Sequence, residues 1–163
     1  KEWHDPQIET RVGRMQELVR AVREIRNQYM VDDRKALDVF VRCTESVAAD
    51  FRALAPFIQQ LAGVGALTCG PDTAKPPQAS SKVHNEFSLY VSLAGLIDIA
   101  KEKARIEKQL AEKRKHLQSG QAKLANESFV SSAPPDVVQK QRETVAETEK
   151  QIAALEENLR DLG

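Results

Sequence analysis

The sequence of 163 residues is poor in the residues that mark several large classes of protein. It contains 2 cysteines, 7 glycines, 7 prolines and 5% aromatic residues. So few glycines and prolines exclude collagen-like and mucin-like chains, and the low aromatic share argues against an all-β fold. Cys43 and Cys69 lack the paired spacing of a disulfide framework or a zinc site, which favours a reducing compartment. We therefore expect an ordered, mainly helical, cytoplasmic protein.

Long hydrophobic runs and catalytic signatures are missing as well. No window approaches the roughly 18 apolar residues of a membrane span, so no membrane partner is expected. The sequence has no phosphate-binding glycine loop, no HExxH and no GxSxG motif, and His4, His84 and His116 are too scattered for a metal site. We therefore expect no catalytic residues, metal or cofactor in this chain. The missing initiator methionine predicts a segment of a longer protein.

The sequence also has no net charge, because 24 Lys and Arg balance 24 Asp and Glu. The balance hides an uneven distribution. Residues 99–124 carry eight cations and three anions, whereas residues 136–162 carry four cations and seven anions. Two interpretations are open: the two segments attract each other, or the basic segment presents a stripe of charge to phosphates.

The first 30 residues have the pattern of one amphipathic helix. Apolar residues recur at helical spacing over residues 6–30, and Asp5 and Pro6 form an N-cap followed by a proline at the first helical position. The polar face of this predicted helix carries several arginines.

Residues 32–93 have the pattern of a small α+β module. Alternating apolar residues predict a strand at 37–41, and further strands are predicted at 66–69 and 87–93. Residues 45–62 return to helical spacing, and Pro56 divides them into two short helices.

From residue 94 the sequence is highly charged, with apolar residues that keep a seven-residue repeat. If the chain reverses near Ser131, the apolar layers of two long helices face each other. The facing pairs are Leu124 with Val138, Leu117 with Val145, Leu110 with Ile152, Ile106 with Leu155, and Ile99 with Leu162. The same register places Gly120 opposite Gln141 and Lys113 opposite Thr148, so polar interruptions meet. This pattern predicts a long antiparallel two-helix coiled-coil hairpin.

Three pieces of this half resemble the C-terminal arm of valyl-tRNA synthetases in order and spacing. They are Leu-Ala-Gly-Leu-Ile-Asp at 93–98, Lys-Leu-Ala-Asn-Glu-Ser-Phe-Val at 123–130 and Ala-Pro-Pro-Asp-Val-Val at 133–138. Upstream, Ala-Val-Arg-Glu-Ile-Arg at 21–26, followed by Val31, resembles the last helix of the anticodon-binding domain of the same family. The resemblance therefore spans nearly the whole chain.

The resemblance implies a parent enzyme that ligates valine to its tRNA with ATP and magnesium, using a class I catalytic domain and an editing domain. The class I signatures HIGH and KMSKS are absent from these residues, so the chain itself is expected to be noncatalytic. In the family the C-terminal coiled coil lies against the outer corner of the L-shaped tRNA. The implied partners are tRNA(Val) and the catalytic body of the enzyme. We expect a monomer that does not bind DNA.

We interpret the chain as α+β and mainly helical, in three parts. Residues 1–31 are the terminal helix of an anticodon-binding domain, residues 32–93 a linker module, and residues 94–163 an antiparallel coiled-coil arm that positions tRNA through backbone and shape contacts. Lys113 is a lesser candidate because the register puts it between the helices. The candidate contacts are Lys101, Arg105, Lys108, Arg114, Lys115 and Lys123 on the arm, with Arg23 and Arg26 on the first helix.

Two other functions stay open from the sequence. A helical hairpin that binds a protein partner would use the charge asymmetry for helix pairing or docking. Salt distinguishes this alternative, because phosphate contacts weaken steeply with ionic strength and an apolar interface does not. An uncharacterised active site would require a deep pocket lined by His84, Glu86 and Cys69.

Overall fold

The computed structural model describes residues 5–163, so His4 lies outside the described residues. The chain divides into two compact units, one formed by residues up to Asp98 and the other by residues 99–161. Within the described residues the protein is mainly helical and has one small mixed sheet, which confirms the predicted α+β class. No helix in this part of the chain combines the length and apolar character that crossing a membrane requires.

The first unit contains the single predicted helix and the predicted α+β module. Its described elements are Pro6–Gln28 (α1), Leu37–Cys43 (β1), Glu45–Ala53 (α2), Ala55–Ala62 (α3), Val64–Gly70 (β2), Ala79–Val83 (β3) and Phe87–Ser92 (β4).

Helix α1 begins and ends where local chemistry requires. The carboxylate of Asp5 accepts hydrogen bonds from the backbone N–H groups of Gln7 and Ile8 at 3.0 and 3.4 Å, which confirms the predicted cap. At the other end Met30 takes a left-handed backbone with φ of 52°, and the N–H of Val31 donates to the carbonyl of Arg26 at 3.0 Å. This closing turn ends the helix two residues before the predicted boundary.

The four strands form one sheet in the order β2-β1-β4-β3. Strands β1 and β2 are parallel, and helices α2 and α3 supply the crossover that a parallel connection requires. Strand β4 is antiparallel to both β1 and β3. The strands predicted at 37–41, 66–69 and 87–93 are confirmed. Pro56 lies in the first turn of α3, where its missing N–H costs no helical hydrogen bond.

The edge strand β3 is absent from the sequence prediction. Its residues, Ala-Ser-Ser-Lys-Val, offer neither an apolar alternation nor a run of β-branched side chains. The segment is extended because every residue from Ala79 to Val83 pairs with β4. Tertiary pairing therefore overrides a weak local preference at this position.

Alternate residues of β1 form the centre of the core in the first unit. Leu37, Val39 and Val41 are fully buried, as the predicted alternation requires. The ring of Phe51 on α2 meets the ring of Phe87 on β4 edge to face, with centroids 5.5 Å apart. Helix α1 contributes the buried residues Leu18, Val22 and Ile25.

The buried guanidinium of Arg26 connects α1 to two loops. Its Nη1 donates to the carbonyls of Asp32 and Lys35 at 2.8 and 3.0 Å, and its Nη2 donates to those of Ala62 and Gly63 at 3.2 and 3.0 Å. Gly63 has a left-handed backbone, and a Cβ there would lie 2.5 Å from Nη2. The residue after α3 must therefore be glycine to admit this arginine.

A network of ion pairs holds the start of α1 against α2 and the turn between β3 and β4. Arg14 binds Asp50 through Nη1 and Glu86 through Nε, both at 2.7 Å, and Arg11 binds Asp50 at 3.0 Å. The hydrogen bond from Arg14 lowers the pKa of Glu86 below its ordinary value, and the charge of Arg14 acts in the same direction.

The second unit consists of three helices, Ile99–Ala125 (α4), Glu127–Ser132 (α5) and Pro135–Asp161 (α6). The two long helices have 27 residues each, so each is about 40 Å long at the helical rise. They pack along each other. The residues buried between them include Ile106, Leu110 and Gly120 of α4 and Val138, Thr148 and Ile152 of α6. The predicted reversal is a short helix, which Asn126 caps by accepting from the N–H of Ser128 at 3.0 Å.

We predict that Arg26→Met lowers the free energy of unfolding of the first unit by about 3 kcal/mol, because it leaves four carbonyls without their donor. Native-state hydrogen exchange of the β1 amides measures this quantity. Arg20→Met is the matched control, because Arg20 is exposed and forms a surface ion pair with Glu17, and it should change stability by about 0.5 kcal/mol or less. Equal losses in the two variants would contradict a structural role for Arg26.

We also predict that Glu86→Gln lowers the melting temperature of the first unit at neutral pH. Because its folded pKa lies below the ordinary 4.5, the unfolded chain binds more protons, so the contribution of Glu86 is present above that pH and is lost on acidification. The difference between variant and unaltered chain should therefore shrink as the pH falls below about 4. Near-UV circular dichroism of the tyrosines follows the transition. Asp38→Asn, which removes the same charge at an exposed strand position, is the matched control.

Candidate nucleic-acid interface

The six candidate contacts predicted on the first arm helix, which exclude the lesser candidate Lys113, are all exposed on α4. At about 100° per residue, five of them fall within an arc of roughly 80°. We call this set the basic flank: Lys101, Arg105, Lys108, Lys115 and Lys123. One carboxylate, Glu112, shares the arc. Arg114 lies about half a turn away, so the structure separates it from the other predicted contacts.

Ion pairing distinguishes these cations further. Arg114 donates from Nη2 to Glu156 of α6 at 3.1 Å, and Arg105 donates from Nε to the carboxylate of Glu102 at 3.1 and 3.2 Å. Lys108 and Lys115 form no ion pair with any residue that the structure describes. Their ammonium groups are therefore available to an external anion.

A groove runs between α4 and α6 on the same side as the basic flank. Its walls are formed by residues 113–123 of α4 and residues 137–151 of α6. Lys113, His116 and Lys123 line the first wall, and Lys140 lines the second. Although the register predicted Lys113 between the helices, its side chain is half-exposed and lines this groove.

Gly120 lies at a close contact between the two long helices. A Cβ at this position would lie 2.9 Å from Cγ2 of Val145 and 3.0 Å from Nε2 of Gln141. The predicted facing of Gly120 and Gln141 is therefore confirmed. The missing side chain allows the helices to pack closely here, and it leaves the space above the contact open as part of the groove.

The two arginines predicted on the first helix are held by carbonyls of their own unit. Arg23 donates from Nε and Nη2 to the carbonyl of Leu61 at 3.0 and 2.7 Å. Arg26 is 6% exposed and donates to four carbonyls. We assign Arg26 a structural role, because a buried guanidinium with these partners has little surface to offer a ligand.

The residues proposed for an uncharacterised active site do not converge. Cys69 lies on β2, whereas His84 and Glu86 lie at the turn between β3 and β4, at the opposite edge of the sheet. Burial raises the pKa of the Cys69 thiol to about 11, so the thiolate is disfavoured. His84 stacks on Phe87 with centroids 4.5 Å apart. Across residues 5–163 no group of three or more ligating side chains is placed to hold a metal ion.

Comparison with known proteins gives a family for this arrangement. Residues 98–163 match the family model described as the valyl-tRNA synthetase tRNA-binding arm. Over 159 residues the chain is 31% identical to a valine–tRNA ligase of Syntrophotalea carbinolica, with 97% of this chain and 18% of the relative covered. The chain belongs to the valyl-tRNA synthetase family. This finding confirms the resemblance drawn from the motifs.

Other valine–tRNA ligases match to a similar extent. That of Rhodopirellula baltica is 32% identical, covering 96% of this chain and 15% of the relative, and that of Lactococcus lactis is 36% identical, covering 99% and 18%. The chain thus spans less than a fifth of the length of these curated relatives. We refer to residues 99–161 as the arm, since they lie within the matched tRNA-binding-arm region of this valyl-tRNA synthetase family member.

The sequence prediction missed the part of the arm surface that α6 supplies. Lys140 escaped notice because α6 is acidic as a whole. The signal was nonetheless present, since Lys140 precedes Gln141, and the predicted register placed Gln141 opposite Gly120. The place of Lys140 next to a residue that faces a glycine of α4 was more informative about the groove than the net charge of α6.

We predict that Gly120→Ala destabilises the arm by about 1 kcal/mol, although alanine favours helix formation by a similar amount. The new methyl group would collide with Val145, and such overpacking costs about 1–3 kcal/mol. In a Val145→Ala background the collision with Val145 is removed and the flexible amide of Gln141 can move aside, so the same substitution should become stabilising. Thermal unfolding followed by circular dichroism at 222 nm gives both values. An equal change in the two backgrounds would contradict this packing.

Proposed function

We propose that this chain is the C-terminal tRNA-binding portion of a valine–tRNA ligase, and that its arm positions tRNA(Val) through backbone and shape contacts. The parent enzyme would ligate valine to the tRNA using ATP and magnesium, in a catalytic body outside this chain. The observation that carries the proposal is the basic flank, five exposed cations along one side of α4.

The same proposal divides the chain by role. Residues 1–31 would be the terminal helix of an anticodon-binding domain, residues 32–93 a linker module, and residues 94–163 the tRNA-binding arm. We propose that the protein is a cytoplasmic monomer. Its partners would be tRNA(Val) and the catalytic body of the enzyme.

We propose further that α4 and α6 form an antiparallel coiled-coil hairpin. Two contacts support this arrangement, the ion pair of Arg114 with Glu156 and the approach of Gly120 to Gln141. From the first contact to the second, the residue number rises on α4 from 114 to 120 and falls on α6 from 156 to 141, as antiparallel packing requires. The seven-residue apolar repeat of both helices supports it independently.

Phosphate binding suits the basic flank for two physical reasons. Cations that neutralise backbone phosphates release condensed counterions, which provides affinity without reading base sequence. Lysine ammonium groups act as point charges on flexible stems, so they tolerate small changes in the position of a phosphate. Lys108 and Lys115 form no ion pair with described residues, so binding there would break none.

The alternative function, docking to a protein partner, finds less support on the arm. Protein interfaces commonly bury apolar and aromatic side chains at their centre. Among the described residues of the arm, Val137 is the one large hydrophobic side chain that is strongly exposed, at 44%. The arm surface is otherwise dominated by charged and polar groups, which favours a polyanionic partner.

We predict that replacing Lys101, Lys108 and Lys115 with Gln weakens binding to a tRNA(Val) transcript and lowers its salt dependence. Three lost phosphate contacts should reduce the slope of log affinity against log salt by roughly 2. Fluorescence anisotropy across a salt series measures both quantities.

The matched control replaces three exposed cations of α6, Arg142, Lys150 and Arg160, with Gln, and so removes the same charge. It should retain most of the affinity and slope. Equal losses in both triple variants would mean that only net charge matters. If the unaltered chain does not bind the transcript even at low salt while it remains helical, a protein-docking role would be favoured instead.

A further inference from the structure

The groove between α4 and α6 has a volume of about 900 Å³ and contains cations from both helices. Lys123 lies one turn beyond Gly120 on α4. Since Gly120 contacts Gln141 and Val145, Lys123 is level with the beginning of that α6 segment, where Lys140 lies. The two lysines therefore lie on opposite walls of the groove, at nearly the same position along the helix axes.

Within the described residues, neither lysine is engaged by a carboxylate. Lys123 and Lys140 form no ion pair with any residue from 5 to 163, and the Nζ atom of Lys123 lies 5.8 Å from the ring centroid of Phe129. The carboxylates that line the groove, Glu143 and Glu147, lie about one and two turns from Lys140 along α6. The groove thus has a cationic end near Lys123 and a mixed end near Glu147.

The α6 wall between these ends presents hydroxyl oxygens as acceptors. Thr144 donates its hydroxyl proton to the carbonyl of Lys140 at 2.9 Å, and Thr148 donates to the carbonyl of Thr144 at 2.8 Å. Each hydroxyl retains oxygen lone pairs, and both residues line the groove. A ligand hydroxyl that meets these threonines can therefore donate a hydrogen bond to them, while the anionic part of the ligand lies at the lysines.

We infer that the groove binds a ribose–phosphate segment of RNA, with Lys123 and Lys140 on either side of a phosphate and Thr144 accepting a hydrogen bond from a ribose 2′-hydroxyl. This inference rests on the proposed function and deepens it, because it extends the contact surface from one flank of α4 to a site built by both helices. The 2′-hydroxyl is the donor that an RNA backbone has and a DNA backbone lacks.

The two chemical parts of the site occur together in an RNA backbone. Free inorganic phosphate offers no ribose hydroxyl for the threonine wall, and an acidic peptide presents carboxylates to the lysines but has no hydroxyl in each repeating unit of its backbone. RNA supplies an anion and a donor in each repeating unit. Gly120 makes the arrangement accessible because no side chain at that position covers the groove.

The experiment compares Lys123→Gln/Lys140→Gln with the charge-matched control Arg142→Gln/Lys150→Gln in the full 163-residue chain. Binding to a tRNA(Val) transcript is measured by anisotropy across a salt series, with helicity checked by circular dichroism. The groove pair should lose roughly tenfold in affinity at low salt and reduce the salt slope by about 1.5, whereas the control should change affinity less than about twofold.

A second variant tests the hydroxyl acceptor. Thr144→Val keeps the shape of the side chain and removes its oxygen, so it should weaken binding to an RNA hairpin by roughly two- to fivefold. It should leave binding to the DNA hairpin of the same sequence unchanged. Equal effects on RNA and DNA would overturn the assignment of a 2′-hydroxyl contact.

The outcomes separate this inference from the proposed function. If the Lys101, Lys108 and Lys115 variant loses affinity while the groove pair matches its control, the flank binds tRNA and the groove inference is overturned. If the unaltered chain shows no salt-dependent binding, both are overturned. Loss in the groove pair beyond its control, with an RNA-specific effect of Thr144→Val, supports the groove as an RNA site.

Discussion

The close contact at Gly120 is the constraint on which the surface of the arm depends. A side chain there would fill the space against Val145 and Gln141 and force α4 and α6 apart. Without a side chain at position 120, the two helices stay packed. The groove beside the contact then stays open, because the residues around it are small or polar. A single missing Cβ therefore sets both the packing of the two helices and the shape of the surface that carries the groove lysines.

The neutral total charge of the chain says little about its local electrostatics. Arg114 is neutralised across the helices by Glu156, and Arg105 is paired with Glu102 on its own helix. Lys108 and Lys115 keep their charge unpaired within the described residues. Because exposed charges more than about 10 Å apart are largely screened at ordinary salt, a ligand responds to these local sets and not to the sum.

Patterns with a strong local cause could be predicted from the sequence. The cap by Asp5 and the alternation of β1 follow from side-chain chemistry and from period-two burial, and both were predicted. Strand β3 was missed because its pairing with β4, and not its own composition, makes it extended. The left-handed backbone of Met30 was also missed, since a methionine carries no turn signal. Strand β3 therefore escaped prediction because it depends on a neighbouring strand, whereas Met30 escaped it because its residue type does not mark the turn.

The candidate site shows the same division more sharply. Arg26 and Lys108 are both cations on the polar positions of amphipathic helices, and the sequence does not show which of the two is buried. Folding brings four carbonyl oxygens around the planar guanidinium of Arg26, whose donors converge well on fixed acceptors. No acceptor in the described residues pairs with the ammonium of Lys108. A cation becomes structural when the fold supplies its oxygen partners and becomes a binding group when the fold withholds them, so counting cations along a helix overestimates the surface that meets a phosphate.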